Sequence, residues 1–120
     1  MEAVLADAGI GLVASYVLAG GTLTGKYLHG ESGRAQADGS LAAVSGKERA
    51  TALVELAREW SVSPASLAFA FALAHPRLAS VLFGATSPEQ LRENVASLEV
   101  SESLDDDQRR QLNALASPPA

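Results

Sequence analysis

Leu78-Ala79-Ser80-Val81-Leu82-Phe83-Gly84-Ala85-Thr86-Ser87-Pro88-Glu89-Gln90-Leu91-Arg92-Glu93-Asn94 is the stretch whose reading decides the fold. Its first six residues form an apolar run without clean alternation, the pattern of a strand buried on both faces. Gly84-Ala85-Thr86 turns the chain. Ser87 then offers a helix N-cap, Pro88 suits the first helical position, and Gln90 completes a capping box. A strand, a glycine turn and a helix start in that order make half of a βα unit. The junction is also an anion site by its physics, because the free N–H groups and dipole of a helix start attract phosphate. Gln90, Glu93 and Asn94 lie three and four apart and share one helical face near that end. An amide and a carboxylate placed there can bond the edge of an adenine.

The flanking sequence continues the alternation. Downstream, the helix runs on through Leu91, Val95 and Leu98, and a last helix starts near Ser103 with Asp105 and Asp106 favouring its positive dipole end. Leu104, Leu112 and Leu115 are its apolar contacts, and Ser117-Pro118-Pro119-Ala120 reads as a frayed tail. Upstream, Ser63-Pro64 opens a helix with Leu67, Ala70, Phe71, Leu73 and Ala74 on its apolar face, stopped by Pro76. Lys47 to Trp60 is an amphipathic helix with Trp60 as its anchor. Gly20 to Gly46 is a long glycine-rich stretch, and only Thr22 to Tyr27 within it reads as a short ordered turn. Ile10 to Tyr16 is a second buried-strand candidate, and residues 2–8 read as a helix tail ended by Gly9. Two strands alternating with helices imply a parallel sheet, yet two strands cannot form one covered on both faces. The remaining strands must come from elsewhere.

Composition narrows the function classes. The 120 residues suit one domain and are too few for two. A hydrophobic fraction of 48% with only 5% aromatics predicts a core of Ala, Leu and Val. A net charge of −5 gives no nucleic-acid footprint and no basic patch for anionic membranes. The absence of cysteine excludes disulfides and thiolate metal sites. His29 and His75 lack partners at metal-ligand spacing, so no metal site is expected. No apolar run approaches the roughly 20 residues of a membrane span. Met1-Glu2-Ala3-Val4 is no signal peptide, and a cytoplasmic location is the expectation.

Two motifs together carry a family resemblance. Leu18-Ala19-x-Gly21-x-Leu23-Thr24-Gly25-Lys26-Tyr27, then Gly33-Arg34, then Gly84-Ala85-x-Ser87-x-Glu89-Gln90-Leu91-x-Glu93-Asn94 resemble the aldo-keto reductases, in particular bacterial members akin to potassium-channel β subunits. The likeness runs from about Gly9 to Leu115. It implies an α/β fold in which residues 1–120 form the C-terminal part of a TIM (β/α)8 barrel, a single incomplete domain whose two parallel strands correspond to the seventh and eighth. A whole barrel typically takes about 250 residues, and its phosphate sites gather in the loops after those two strands.

The implied cofactor is NADP(H), and the implied parent activity is NADPH-dependent carbonyl reduction or alcohol oxidation on a small-molecule carbonyl substrate. By resemblance, Leu18, Ala19, Gly21 and Lys26 line the pyrophosphate side, and Arg34 lies near the adenosine phosphate. Gly84, Thr86 and Gln90 hold the 2′-phosphate and ribose, and Glu93 and Asn94 contact adenine. The family commonly places an aromatic residue that stacks on nicotinamide three positions before Leu18, where this sequence has Ser15. Strand alternation turns Tyr16 to the other face. The family's Asp, Tyr, Lys and His tetrad does not map onto this chain, so the chain alone is expected to be inactive.

Blander readings stand beside these. Lys26 and Arg34 also suit solvated positions, Gln90 a pure capping role, Glu93 and Asn94 a plain helix surface, and Asp105-Asp106-Asp107 a helix start. Two rival functions remain: a non-catalytic module binding a nucleotide or a partner chain, with self-association through exposed barrel edges, and a small helical protein. The barrel reading predicts that Ala14, Val81 and Leu82 lie uncovered.

Overall fold

The structure is a computed structural model that describes residues 2–25 and 41–116. Along the chain run α1 (Glu2–Asp7), β1 (Leu12–Ala14), a 3-10 segment (Ala19–Thr24), α2 (Leu41–Glu59), α3 (Pro64–Leu73), β2 (Leu78–Val81), α4 (Pro88–Ser103) and α5 (Asp106–Ala116). β1 and β2 pair in parallel, with Leu12 opposite Leu78 and Ala14 opposite Val81 and an irregularity between Leu12 and Val13. The expected two parallel strands with their helices are therefore present, and the purely helical alternative is excluded.

Local chemistry explains the element ends. Gly9 at φ +64° stops α1 in a conformation that side chains disfavour. Ser63 caps α3 by accepting the Ser66 N–H at 3.0 Å, with Pro64 at the first turn. His75 ends that region, where its Nδ1 accepts the Arg77 N–H at 3.2 Å. Arg77 then reaches back from the start of β2 to donate to the carbonyls of Leu5 (3.1 Å) and Ile10 (3.4 Å). At the far end, Asp105 and Gln108 cap α5 reciprocally: the Gln108 N–H donates to Asp105 Oδ1 at 2.8 Å, and the Asp105 N–H donates to Gln108 Oε1 at 3.0 Å.

The core lies among the helices. Leu53 and Ala57 of α2, Leu67, Ala68 and Ala70 of α3, Leu104, and Leu112 of α5 form one buried cluster, against which Val17, Leu18, Leu23, Trp60 and Leu115 pack. Leu67 is fully buried. Trp60 and Leu115 thus take their expected anchoring places.

Several expectations need correction. α2 begins at Leu41, six residues before the predicted Lys47, because Gly46 is tolerated inside the helix and does not end the loop. α3 is buried all round from Ala65 to Ala70, whereas Phe71 and Ala74 are exposed, so its apolar stripe is not the one expected. α4 continues through Ser103 and α5 starts at Asp106, since Leu104 has extended backbone at ψ 127°. Leu82 is exposed as predicted, but Ala14 and Val81 are half-buried because their side chains share the paired strands. Val13, at 59% exposure, takes the uncovered position on β1.

Candidate functional site

The chain beyond β1, the 3-10 segment, the first half of α3, the end of β2 and the start of α4 surround an open cleft of about 940 Å³. That volume is in the range of small-molecule sites. Its apolar lining includes Leu18, Pro64, Ala65 and Phe69, with Leu82 and Phe83 beyond β2. Phe69 and Phe83 meet edge-to-face, 5.5 Å apart with planes at 80°, a favoured aromatic geometry. Its polar groups come from Thr24, Thr86, Gln90, Glu93 and Asn94.

Local sequence builds both polar walls. On one side, Gly20 (φ 67°) and Gly21 (φ 92°) join two tight turns inside the 3-10 segment, and the Thr24 hydroxyl donates to the Gly21 carbonyl at 2.7 Å. Gly25 closes the segment at φ 79°. On the other side, Ser87 caps α4 by accepting the Gln90 N–H at 3.2 Å. The predicted return bond from Gln90 to Ser87 is not made. The Gln90 amide oxygen instead accepts the Thr86 N–H at 2.9 Å and the Thr86 hydroxyl at 3.0 Å.

That arrangement revises the anion-site reading. Pro88 has no N–H, the Gln90 N–H is held by Ser87 Oγ, and the Leu91 N–H donates to the Ser87 carbonyl at 3.1 Å. The helix start supplies its dipole but few open amides. The converging donors are those of Thr86, and they already meet one acceptor oxygen. A phosphate or ribose oxygen is an acceptor of the same kind, and would take this donor pair only by displacing the Gln90 oxygen. Beside it, the Asn94 amide and Glu93 carboxylate offer the donors and acceptors that an adenine edge needs.

Leu18, Gly21, Gly84, Thr86, Gln90, Glu93 and Asn94 all line the cleft. A side chain at Gly84 would meet nothing within 4 Å, so its role there is openness rather than tight packing. Ser15 and Ala19 are not among the lining residues; Ser15 directly follows the end of β1, before the turn at Val17 and Leu18. Lys26 and Arg34 lie outside the described residues, as do Tyr27 and His29. Among the described lining residues Glu93 is the only charged one.

Sequence reasoning passed over Tyr16, Pro64, Ala65, Phe69 and Phe83 as lining residues. The expected far-face position of Tyr16 requires β1 to reach it. The strand ends at Ala14, and Tyr16 has φ 60°. Phe69 had a signal, as one of two aromatics, with Phe71, in an α3 otherwise made of proline, small residues and leucine.

Three comparisons bear on this geometry. The Aldo/keto reductase family profile matches residues 1–117. Protein tas of Escherichia coli K12 is 38% identical over 103 residues, which cover 81% of this chain and 30% of tas. A probable voltage-gated potassium channel subunit beta of Oryza sativa is 35% identical over 107 residues, covering 77% of this chain and 31% of its own length. Among solved structures, the apo form of aldo-keto reductase AKR11C1 from Bacillus halodurans superposes with a TM-score of 0.62 at 24% identity. That match covers 95% of this chain and 37% of that one. The chain thus has part of the family's barrel fold and spans about 30% of the length of the curated relatives it matches.

Proposed function

Because the chain belongs to the aldo/keto reductase family, we propose that its cleft is the adenosine-side portion of an NADP(H) site. One observation carries this reading. Residues of the two family-like motifs, Leu18 and Gly21 on one and Gly84 to Asn94 on the other, lie more than sixty positions apart and converge on a single cleft.

In this reading Thr86 and Gln90 hold the 2′-phosphate and ribose, and Glu93 and Asn94 hold adenine. Leu18, Ala19 and Gly21 approach the pyrophosphate through backbone, with Lys26 and Arg34 supplying the positive charge that the described wall lacks. The bound dinucleotide supplies the hydride for carbonyl reduction. The acid group that protonates the carbonyl oxygen is not contributed by this chain, so its role is to bind and orient. The carbonyl substrate belongs to the whole barrel.

Calorimetric titration tests the reading. NADP⁺ and 2′-phospho-ADP-ribose should both bind, and NAD⁺ more weakly. Gln90→Ala should weaken the two phosphorylated ligands about tenfold or more, as expected when a hydrogen bond to a charged group is lost. Equal binding of NAD⁺ and NADP⁺ would reject the 2′-phosphate assignment, and no binding of either would reject the site.

A further inference from the structure

We propose that the outward apolar stripe of α4 is the contact surface for a second copy of this chain, with the two α4 helices packed antiparallel and set in register by Arg92 and Glu99. The proposal does not depend on the cofactor reading. Glu93 lies two residues from both Leu91 and Val95, hence on the far side of the helix, and there it lines the cleft, which stays open.

Leu91, Val95 and Leu98 follow one another at intervals of four and three residues, the spacing of a seam that buries against another helix. Each is about half exposed. The two edges of this seam differ. One carries Asn94, which is buried on a helix that packs against α3. The other carries Arg92 and Glu99, both exposed and seven residues apart, which puts them two turns apart along the same edge. Arg92 also lies 3.9 Å from Glu89, but those side chains are 77% and 79% exposed, and a pair so open to water adds little.

These edges decide the orientation. Two parallel helices related by a two-fold axis bring unlike edges together, and here one of them is already turned toward α3. Two antiparallel helices bring like edges together. With Val95 of one copy against Leu98 of the other, Arg92 of each copy stands beside Glu99 of the other, and the two-fold axis makes that pair twice. Sliding the helices by two turns, to set Val95 against Leu91, brings the two Arg92 side chains together instead. Charge therefore selects one register, as it does in other helix pairs. Glu102 ends the apolar run one turn beyond Leu98. So short a seam buries less than a permanent dimer does, and the dimer is a weak, reversible one.

Sedimentation equilibrium on the 120-residue chain and two charge variants tests this. The unmodified chain should show a reversible monomer–dimer equilibrium. Arg92→Glu makes the edge wholly acidic and Glu99→Arg makes it wholly basic, so each variant alone should dimerise about tenfold more weakly, as two exposed ion pairs become two repulsions. Mixed in equal amounts, the two variants should form a heterodimer within about threefold of the original affinity, because each edge then meets the opposite charge. Both positions are exposed and outside the cleft lining, so the circular dichroism spectra should not change. A monomeric unmodified chain would overturn the proposal. So would association, dimeric or larger, that the substitutions leave unchanged or that mixing does not restore.

Discussion

At the residue scale the site turns on Thr86 and Gln90. Gln90 is a residue whose side chain is exposed, yet its amide oxygen is fixed by two donors from one neighbour. Replacing Thr86 with Val removes one of those donors and keeps the backbone N–H. The expected result is a three- to tenfold weaker affinity for 2′-phosphorylated ligands, about the worth of one hydrogen bond, with an unchanged circular dichroism spectrum. Calorimetry on the Thr86→Val protein checks it. The position of Gln90, Glu93 and Asn94 was legible in the sequence because helix spacing alone puts them on one side. Tyr16 was not legible, since strand alternation predicts a face only while the strand lasts. The exposed lining role of Tyr16 depends on a left-handed backbone that no local pattern announces.

At the element scale, caps do much of the specifying. Ser63 and Ser87 each accept one amide at a helix start and each precede a proline. Ser63→Ala and Ser87→Ala should each destabilise the fold by about 1 kcal/mol, read as a lower denaturant midpoint with unchanged slope. Both helix starts were legible for this reason: a cap and a proline are local signals. The start of α2 was not, since Gly46 punctuates the sequence as a loop would but is carried inside a helix of 19 residues. α4 was misleading in another way. Its buried positions are Asn94 and Ser97, on a helix that packs against α3, and the Ser97 hydroxyl bonds the Asn94 carbonyl. Its larger apolar residues, Leu91, Val95 and Leu98, face outward at 49%, 53% and 52% exposure. Periodicity located an apolar stripe but could not tell that nothing described here covers it.

At the scale of the whole molecule, Leu82 and Phe83 just after β2 are exposed as well as that outward stripe. The chain spans about 30% of its relatives' length. Exposed apolar surface of this extent favours association. In size-exclusion chromatography the chain by itself should elute as oligomers, and the triple substitution Leu91→Lys, Val95→Lys, Leu98→Lys should shift it toward monomer. A monomeric unmodified chain would contradict this.

The guanidinium of Arg77 has a consequence for how the molecule opens. It ties the carbonyls of Leu5 and Ile10 to the start of β2, while among the described residues the buried cluster joins α2, α3 and α5 with no residue from α1 or either strand. The strand side, pinned by the Arg77 guanidinium, is therefore expected to open before the helical block. Amide deuteration should run ahead in residues 2–14. Arg77→Ala should hasten it there by an order of magnitude, roughly 1.4 kcal/mol of opening free energy, and leave the Leu53, Leu67 and Leu112 amides as slow as before.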